Sequence, residues 1–122
     1  MIINCFFVGI GGFLGSVFRY LISLIPFLKN GSLPLATLAV NVAGAVIIGI
    51  IVKEAESAGS FNEQTLLFLK VGLCGGFTTF STFALESFGL FQGGRLLLAG
   101  IYIAASVFLC IGGIALGRWI AG

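Results

Sequence analysis

Four long apolar runs, parted only by short polar breaks, leave this chain one place to fold: a lipid bilayer. The runs occupy residues 2–27, 34–52, 65–91 and 96–120. A transmembrane helix needs about 20 mostly apolar residues to cross a hydrocarbon core about 30 Å thick. The breaks are Lys29-Asn30-Gly31-Ser32, the longer polar stretch from Lys53 to Gln64, and Gln92-Gly93-Gly94-Arg95. Only 8% of residues are charged and the mean hydropathy is +1.21, whereas soluble domains carry about 25% charged residues. Strands of a membrane barrel would alternate apolar and polar residues over about ten positions; these runs are continuous. The first run lacks a basic leader and is too long for the core of a signal peptide. The expected fold is an all-α membrane protein, a single four-span domain over residues 1–122, with both termini on one side.

The same composition excludes several functions. The chain has no histidine, which removes imidazole metal sites, Ser-His and Cys-His catalysis, and histidine proton relays. Its three cysteines, Cys5, Cys74 and Cys110, are scattered through apolar runs without a C-x-x-C pair and read as small buried side chains. A net charge of +2 is too weak for a nucleic-acid footprint. With no activated nucleophile or metal cluster to assemble, the chain reads as a non-enzyme.

Orientation is unusually balanced. The positive-inside rule counts Lys and Arg in short loops and near span ends. Lys53, Lys70 and Arg118 fall on the side of the termini, and Arg19, Lys29 and Arg95 on the other. Either one residue or a partner decides the topology, or the chain inserts both ways. The 19 glycines are about twice the average usage of roughly 7%. Several form small-x-x-x-small pairs: Gly11 with Gly15, Gly12 with Ser16, Ala45 with Gly49, and Gly113 with Gly117. Such pairs let helix backbones approach closely in lipid. A bundle this small encloses little volume, so some of these faces are expected to meet a second subunit.

Polar groups inside spans are costly and point to function. Here they are Arg19, Thr37, Asn41, the cluster Thr78, Thr79, Ser81 and Thr82, then Glu86, Tyr102 and Ser106. Nearly all are neutral hydroxyls or amides, which donate hydrogen bonds without fixed charge. Such a set suits an anion stripped of water; a cation would need carbonyl or carboxylate oxygens. A lone Ser or Thr in a span often bonds its own helix, but four hydroxyls in five residues beside Gly75-Gly76 exceed that. Two glycines followed by β-branched threonines make a poor helix interior. A break is expected there, near the middle of the third span. Freed carbonyls at a break are tolerated where they face protein, water or an ion, and they are ligands for a small hard cation. Phe80 and Phe83 project to one side just after the break, and an aromatic ring edge carries positive quadrupole charge that favours an anion.

The segment Gly75-Gly76-Phe77-Thr78-Thr79-Phe80-Ser81-Thr82-Phe83 resembles the third-span signature of the Fluc (CrcB) family of fluoride channels. Gly11-Gly12-x-x-Gly15-x-x-x-Arg19-Tyr20 is similar to that family's first-span motif, and Thr37-Leu38-Ala39-Val40-Asn41-x-x-Gly44 to its second. The likeness covers essentially the whole chain. It implies a dual-topology antiparallel homodimer in a cell membrane, with two pathways for passive fluoride export that limits cytoplasmic toxicity. It also implies a structural sodium ion, Na+, at the dimer axis, held by the backbone carbonyls of Gly75 and Thr78. Asn41 would donate to fluoride, Phe80 and Phe83 from different subunits would box it, and Ser81 and Thr82 would supply hydroxyls. Arg19 would attract anions at a vestibule, and Tyr102 and Ser106 would begin a polar track on the fourth span. One turn and two turns beyond Ser106 stand Cys110 and Ile114, where the family often has hydroxyls. That departure suggests either an altered outer pathway or a subunit that pairs with a close homologue. Small dual-topology multidrug exporters share the size, but depend on a first-span glutamate; residues 2–27 have no acidic residue. A purely structural subunit would explain the glycines but not the ordered Asn, Thr and Phe residues.

Overall fold

A computed structural model describes residues 1–59 and 61–122. The described spans are helical apart from one short break in the third, and four helical segments are long and apolar enough to cross a membrane. Three are continuous: α1 (Ile2–Ser23), α3 (Leu35–Ala58) and α7 (Leu96–Ala121), of 22, 24 and 26 residues. At 1.5 Å per residue they are about 33–39 Å long, enough for a bilayer core.

The first apolar run does not continue to residue 27. Ile25 is extended (ψ 121°) because it precedes a proline, and Pro26 opens a separate short helix, α2 (Pro26–Lys29). The second helix, in turn, outlasts its apolar run. The stretch from Lys53 read as loop is helical to Ala58. Gly59, at φ 58°, then takes the left-handed conformation that ends many helices. Its charged last turn is anchored across the bundle, where Arg118 donates to both Glu56 carboxylate oxygens at 2.9 and 3.3 Å. Both side chains are exposed, so the pair aligns two helix ends more than it stabilises them.

The third span, Glu63–Gln92, is the irregular one. Asn62 caps its start by accepting from the Thr65 amide at 2.8 Å. It then runs through α4 (Glu63–Leu66), a π-helical segment (Leu67–Cys74) and α5 (Gly75–Phe77). A break at Thr78 and Thr79 follows before α6 (Phe80–Gln92). The break is near the middle of the span, as expected, but the double glycine is not its site. Gly75 and Gly76 are helical and the two threonines are extended. The reason is steric. A Cβ on Gly76 would lie 2.6 Å from the Gly12 carbonyl oxygen, so glycine there serves close helix approach, while β-branched residues adopt the extended conformation readily.

The same need explains the glycine pairs. Gly11 and Gly15 bring α1 onto the backbone of Phe68, Leu73 and Phe77, and Gly49, Gly113 and Gly117 bring α3 against α7. Members of all four small-residue pairs therefore make close approaches inside the chain. Van der Waals packing replaces the hydrophobic effect as the force between helices in lipid, and only glycine permits that distance. The buried core is correspondingly thin, with Val40, Ala99 and Tyr102 nearly inaccessible, whereas rows such as Phe6, Phe13, Leu97 and Phe108 face outward. The protein is a multi-pass membrane protein.

Candidate functional site

The break in the third span strips several backbone groups of their helical partners, and side chains from two other helices take their place. Thr79 donates its N–H to Asn41 Oδ1 at 2.8 Å, and Asn41 Nδ2 donates to the Thr79 carbonyl at 3.0 Å. One amide side chain on α3 thus clamps both polar groups of a single residue. From α1, Arg19 Nε donates to the Gly76 carbonyl at 3.0 Å. Thr79 caps α6 through its hydroxyl, which accepts from the Thr82 N–H at 3.2 Å and donates to Thr82 Oγ1 at 3.1 Å. Thr78 Oγ1 donates back to the Cys74 carbonyl at 2.9 Å. Unsatisfied backbone groups cost several kcal/mol in hydrocarbon, so these bonds are what make a broken helix tolerable at this depth.

Arg19 takes the Gly76 carbonyl, and three freed carbonyls are left over, those of Gly75, Phe77 and Thr78. In a continuous helix the Thr79 N–H would bond the Gly75 carbonyl and the Thr82 N–H the Thr78 carbonyl. Asn41 and the Thr79 hydroxyl divert both donors. Gly75 and Thr78 therefore each present an oxygen without its helical partner, a donor set that suits a small hard cation.

Beside the break runs a groove of about 400 Å³ between the third span, α3 and α7. Asn41, Gly75, Thr78, Thr79, Phe80 and Phe83 line it, and Ser106 and Cys110 continue it along α7. Lys70 is the only charged residue among its described lining. Asn41 has two amide hydrogens and spends one on Thr79, so one donor remains for the groove. The Ser106 hydroxyl is buried with no partner. Phe80 and Phe83 form a tilted pair, ring centroids 5.4 Å apart at 58°. Phe83 in turn packs at 5.3 Å on Tyr102. Phe83 is buried by this stacking, whereas Phe80 is 78% exposed at the start of α6.

A second cavity of about 460 Å³ opens on the far side of the break, lined by Arg19, Lys29, Thr37, Thr79, Thr82 and Glu86. Thr79 lines both cavities and is the residue between them. Glu86 is held by two hydroxyls: Thr37 Oγ1 donates to its Oε2 at 3.0 Å and Tyr102 OH to its Oε1 at 2.9 Å.

Of the residues singled out from sequence, Asn41, Phe80, Phe83, Ser106, Gly75 and Thr78 share the groove, while Arg19 and Thr82 lie in the second cavity. Ser81 is exposed on α6 with its hydroxyl 3.4 Å from that of Thr79, and Tyr102 is buried behind Glu86 and Phe83. Neither Ser81 nor Tyr102 is among the described lining of the two cavities. Ile114 meets Gly49 through its backbone, away from the groove. Sequence reasoning undervalued Thr79, whose amide, carbonyl and hydroxyl organise the break. The signal was its place three residues before Thr82, the spacing of an N-cap. It also left Glu86 without a role, although an acidic residue inside a span calls for a nearby donor.

A family model described as CrcB-like protein, Camphor Resistance (CrcB), matches residues 6–118. The chain is 42% identical over 120 residues to the fluoride-specific ion channel FluC of Ruminiclostridium cellulolyticum, covering 98% of this chain and 92% of that one. It is 47% identical over 105 residues to FluC of Chlorobaculum tepidum, covering 85% of this chain and 82% of that one. With FluC 1 of Methanosarcina acetivorans it shares 41% over 113 residues, covering 91% of this chain and 85% of that one. A polytopic bundle whose third helix breaks at Thr78-Thr79, matched along nearly its full length in this way, belongs to the CrcB family.

Proposed function

We propose that this chain is a fluoride channel, conducting the ion passively through the groove and so allowing export that limits cytoplasmic fluoride. The observation that carries the reading is the set of uncommitted donors in a nearly uncharged groove: the second Asn41 N–H and the partnerless Ser106 hydroxyl, beside the Phe80 and Phe83 rings. The names of the FluC relatives support it. Fluoride is small and tightly hydrated, and only short contacts from neutral donors and ring edges replace its water without trapping it by charge. Arg19 and Lys29 in the second cavity raise the local anion concentration, and Thr82 offers its hydroxyl hydrogen on the way to the groove. As a transport protein of the cell membrane, the chain is not an enzyme.

The working unit in this reading is an antiparallel pair of chains. Balanced charges at the two ends favour insertion both ways, and an exposed Phe80 at the groove rim suits insertion beside Phe83 of a second copy. A sodium ion at the axis would take the Gly75 and Thr78 carbonyls of both chains and offset their lack of helical partners. Replacing sodium by a bulky organic cation is expected to lower the melting temperature of the purified dimer; an unchanged midpoint counts against the ion.

The functional test is flux. Protein in liposomes is expected to release fluoride down its gradient and to hold back chloride. Equal rates for the two ions, or no fluoride release from a folded protein, overturn the proposal.

A further inference from the structure

Cys110 is a groove residue whose chemistry the anion pathway does not use. It follows Ser106 by one helical turn on α7 and lines the same groove. Ser106 is itself 6% exposed, and its hydroxyl is buried without a partner. A buried orphan hydroxyl leaves an unpaired polar group in this wall of the groove. We infer that the Cys110 thiol, with Ser106 beside it, makes the groove a binding site for soft, thiophilic d10 metal species, whose capture there closes the fluoride pathway.

The chemistry selects the guest. Sulfur ligands favour soft metals over hard ones. The neighbouring Val107, Ile111 and Phe83 surfaces disfavour strongly hydrated ions and admit a neutral molecule such as mercuric chloride. The thiol is metallated by simple exchange: Cys–SH and HgCl2 give Cys–S–HgCl, a proton and chloride. One S–Hg bond forms, one Hg–Cl and one S–H bond break, and no oxidation state changes. The product carries a bulky metal chloride into a groove of about 400 Å³ whose donors must line up along one file. Cys74 lines the groove too, but it is 4% exposed, with its backbone carbonyl engaged by Thr78. Cys5 lies on the exposed face of α1.

The inference rests on the groove being the fluoride pathway, and the experiment separates the two. Fluoride release from liposomes is measured before and after HgCl2, then after excess dithiothreitol, for the unaltered protein, Cys110→Ser, Cys110→Ala and a Cys5→Ser/Cys74→Ser variant. Peptide mass spectrometry locates the mercury adduct in each. The expected result is flux brought to background in the unaltered protein and in the Cys5→Ser/Cys74→Ser variant, restored by thiol, with the adduct on Cys110. Cys110→Ser and Cys110→Ala should continue to conduct in mercury. Block of either Cys110 variant, or an unblocked unaltered protein, overturns the inference while leaving fluoride conduction intact. If no variant conducts fluoride at all, the channel reading fails. The mass measurement then still decides the metal site: an adduct at Cys110 supports it and none overturns it.

Discussion

Asn41→Asp is expected to bring fluoride flux to background while the protein still folds in detergent. Asn41 Nδ2 donates to the Thr79 carbonyl and keeps a second hydrogen for the groove. A carboxylate at this place turns both donors into acceptors and adds a negative charge to the path. Two unit charges 4 Å apart repel by about 4 kcal/mol at an effective dielectric of about 20. That corresponds to about a thousandfold in occupancy, since every 1.4 kcal/mol is about tenfold. The Thr79 N–H bond survives, because an Asp oxygen still accepts from it. The Thr79 carbonyl loses the Asn41 donor but, as the N-cap of α6, keeps its helical bond from Phe83, so only a small drop in melting temperature should accompany the loss of flux. Size exclusion, thermal melting and liposome flux on one preparation separate the two effects. Near-normal flux in a folded Asn41→Asp protein would leave Asn41 as a backbone clamp and nothing more.

The second large effect is expected from Phe80 and Phe83 together. Replacing both by isoleucine keeps most of the apolar volume and removes the aromatic rings that line the groove. Flux should fall to background in the double variant. The single variants should differ. Phe83 is buried and packs on Tyr102, which in turn bonds Glu86, so Phe83→Ile costs stability, about 1 kcal/mol for a core shape change. Phe80 is exposed in the single chain, and Phe80→Ile should cost less in melting than Phe83→Ile while reducing flux. A double variant that conducts normally would show that the rings serve packing alone. Equal melting losses for the two single variants would contradict the asymmetry of their surroundings.

Local rules and their tertiary overrides account for which features were legible. The break was expected across Gly75-Gly76 and the threonines, and it falls on the threonines while the glycines stay helical. A glycine's tolerance of a broken helix and its usefulness in close packing look the same in sequence. Contact with Gly12 on α1 selects the second. The charged turn from Lys53 to Glu56 looked like a loop, because hydropathy reports the membrane boundary and not the helix end. Its continuation to Ala58 places Glu56 within reach of Arg118, 62 positions away. Pro26, by contrast, had its effect in full view, since a proline restricts the residue before it whatever the fold.

The sequence alone determined the bilayer as solvent, the number of spans, the helical class and the identity of the polar side chains, because each follows from composition and local pattern. A run of apolar residues has to be helical in lipid whatever it packs against, since its backbone has no water to bond. The tertiary structure alone decided which groups serve the backbone and which remain free. Asn41 and Arg19 reach carbonyls and amides 38 and 57 positions away. Thr37 and Tyr102 both spend their hydroxyls on Glu86, while Ser106 keeps its own. A hydrogen bond is satisfied by whichever partner the packing brings within about 3 Å, and that distance is set by helices crossing through their glycines, not by neighbours in the chain.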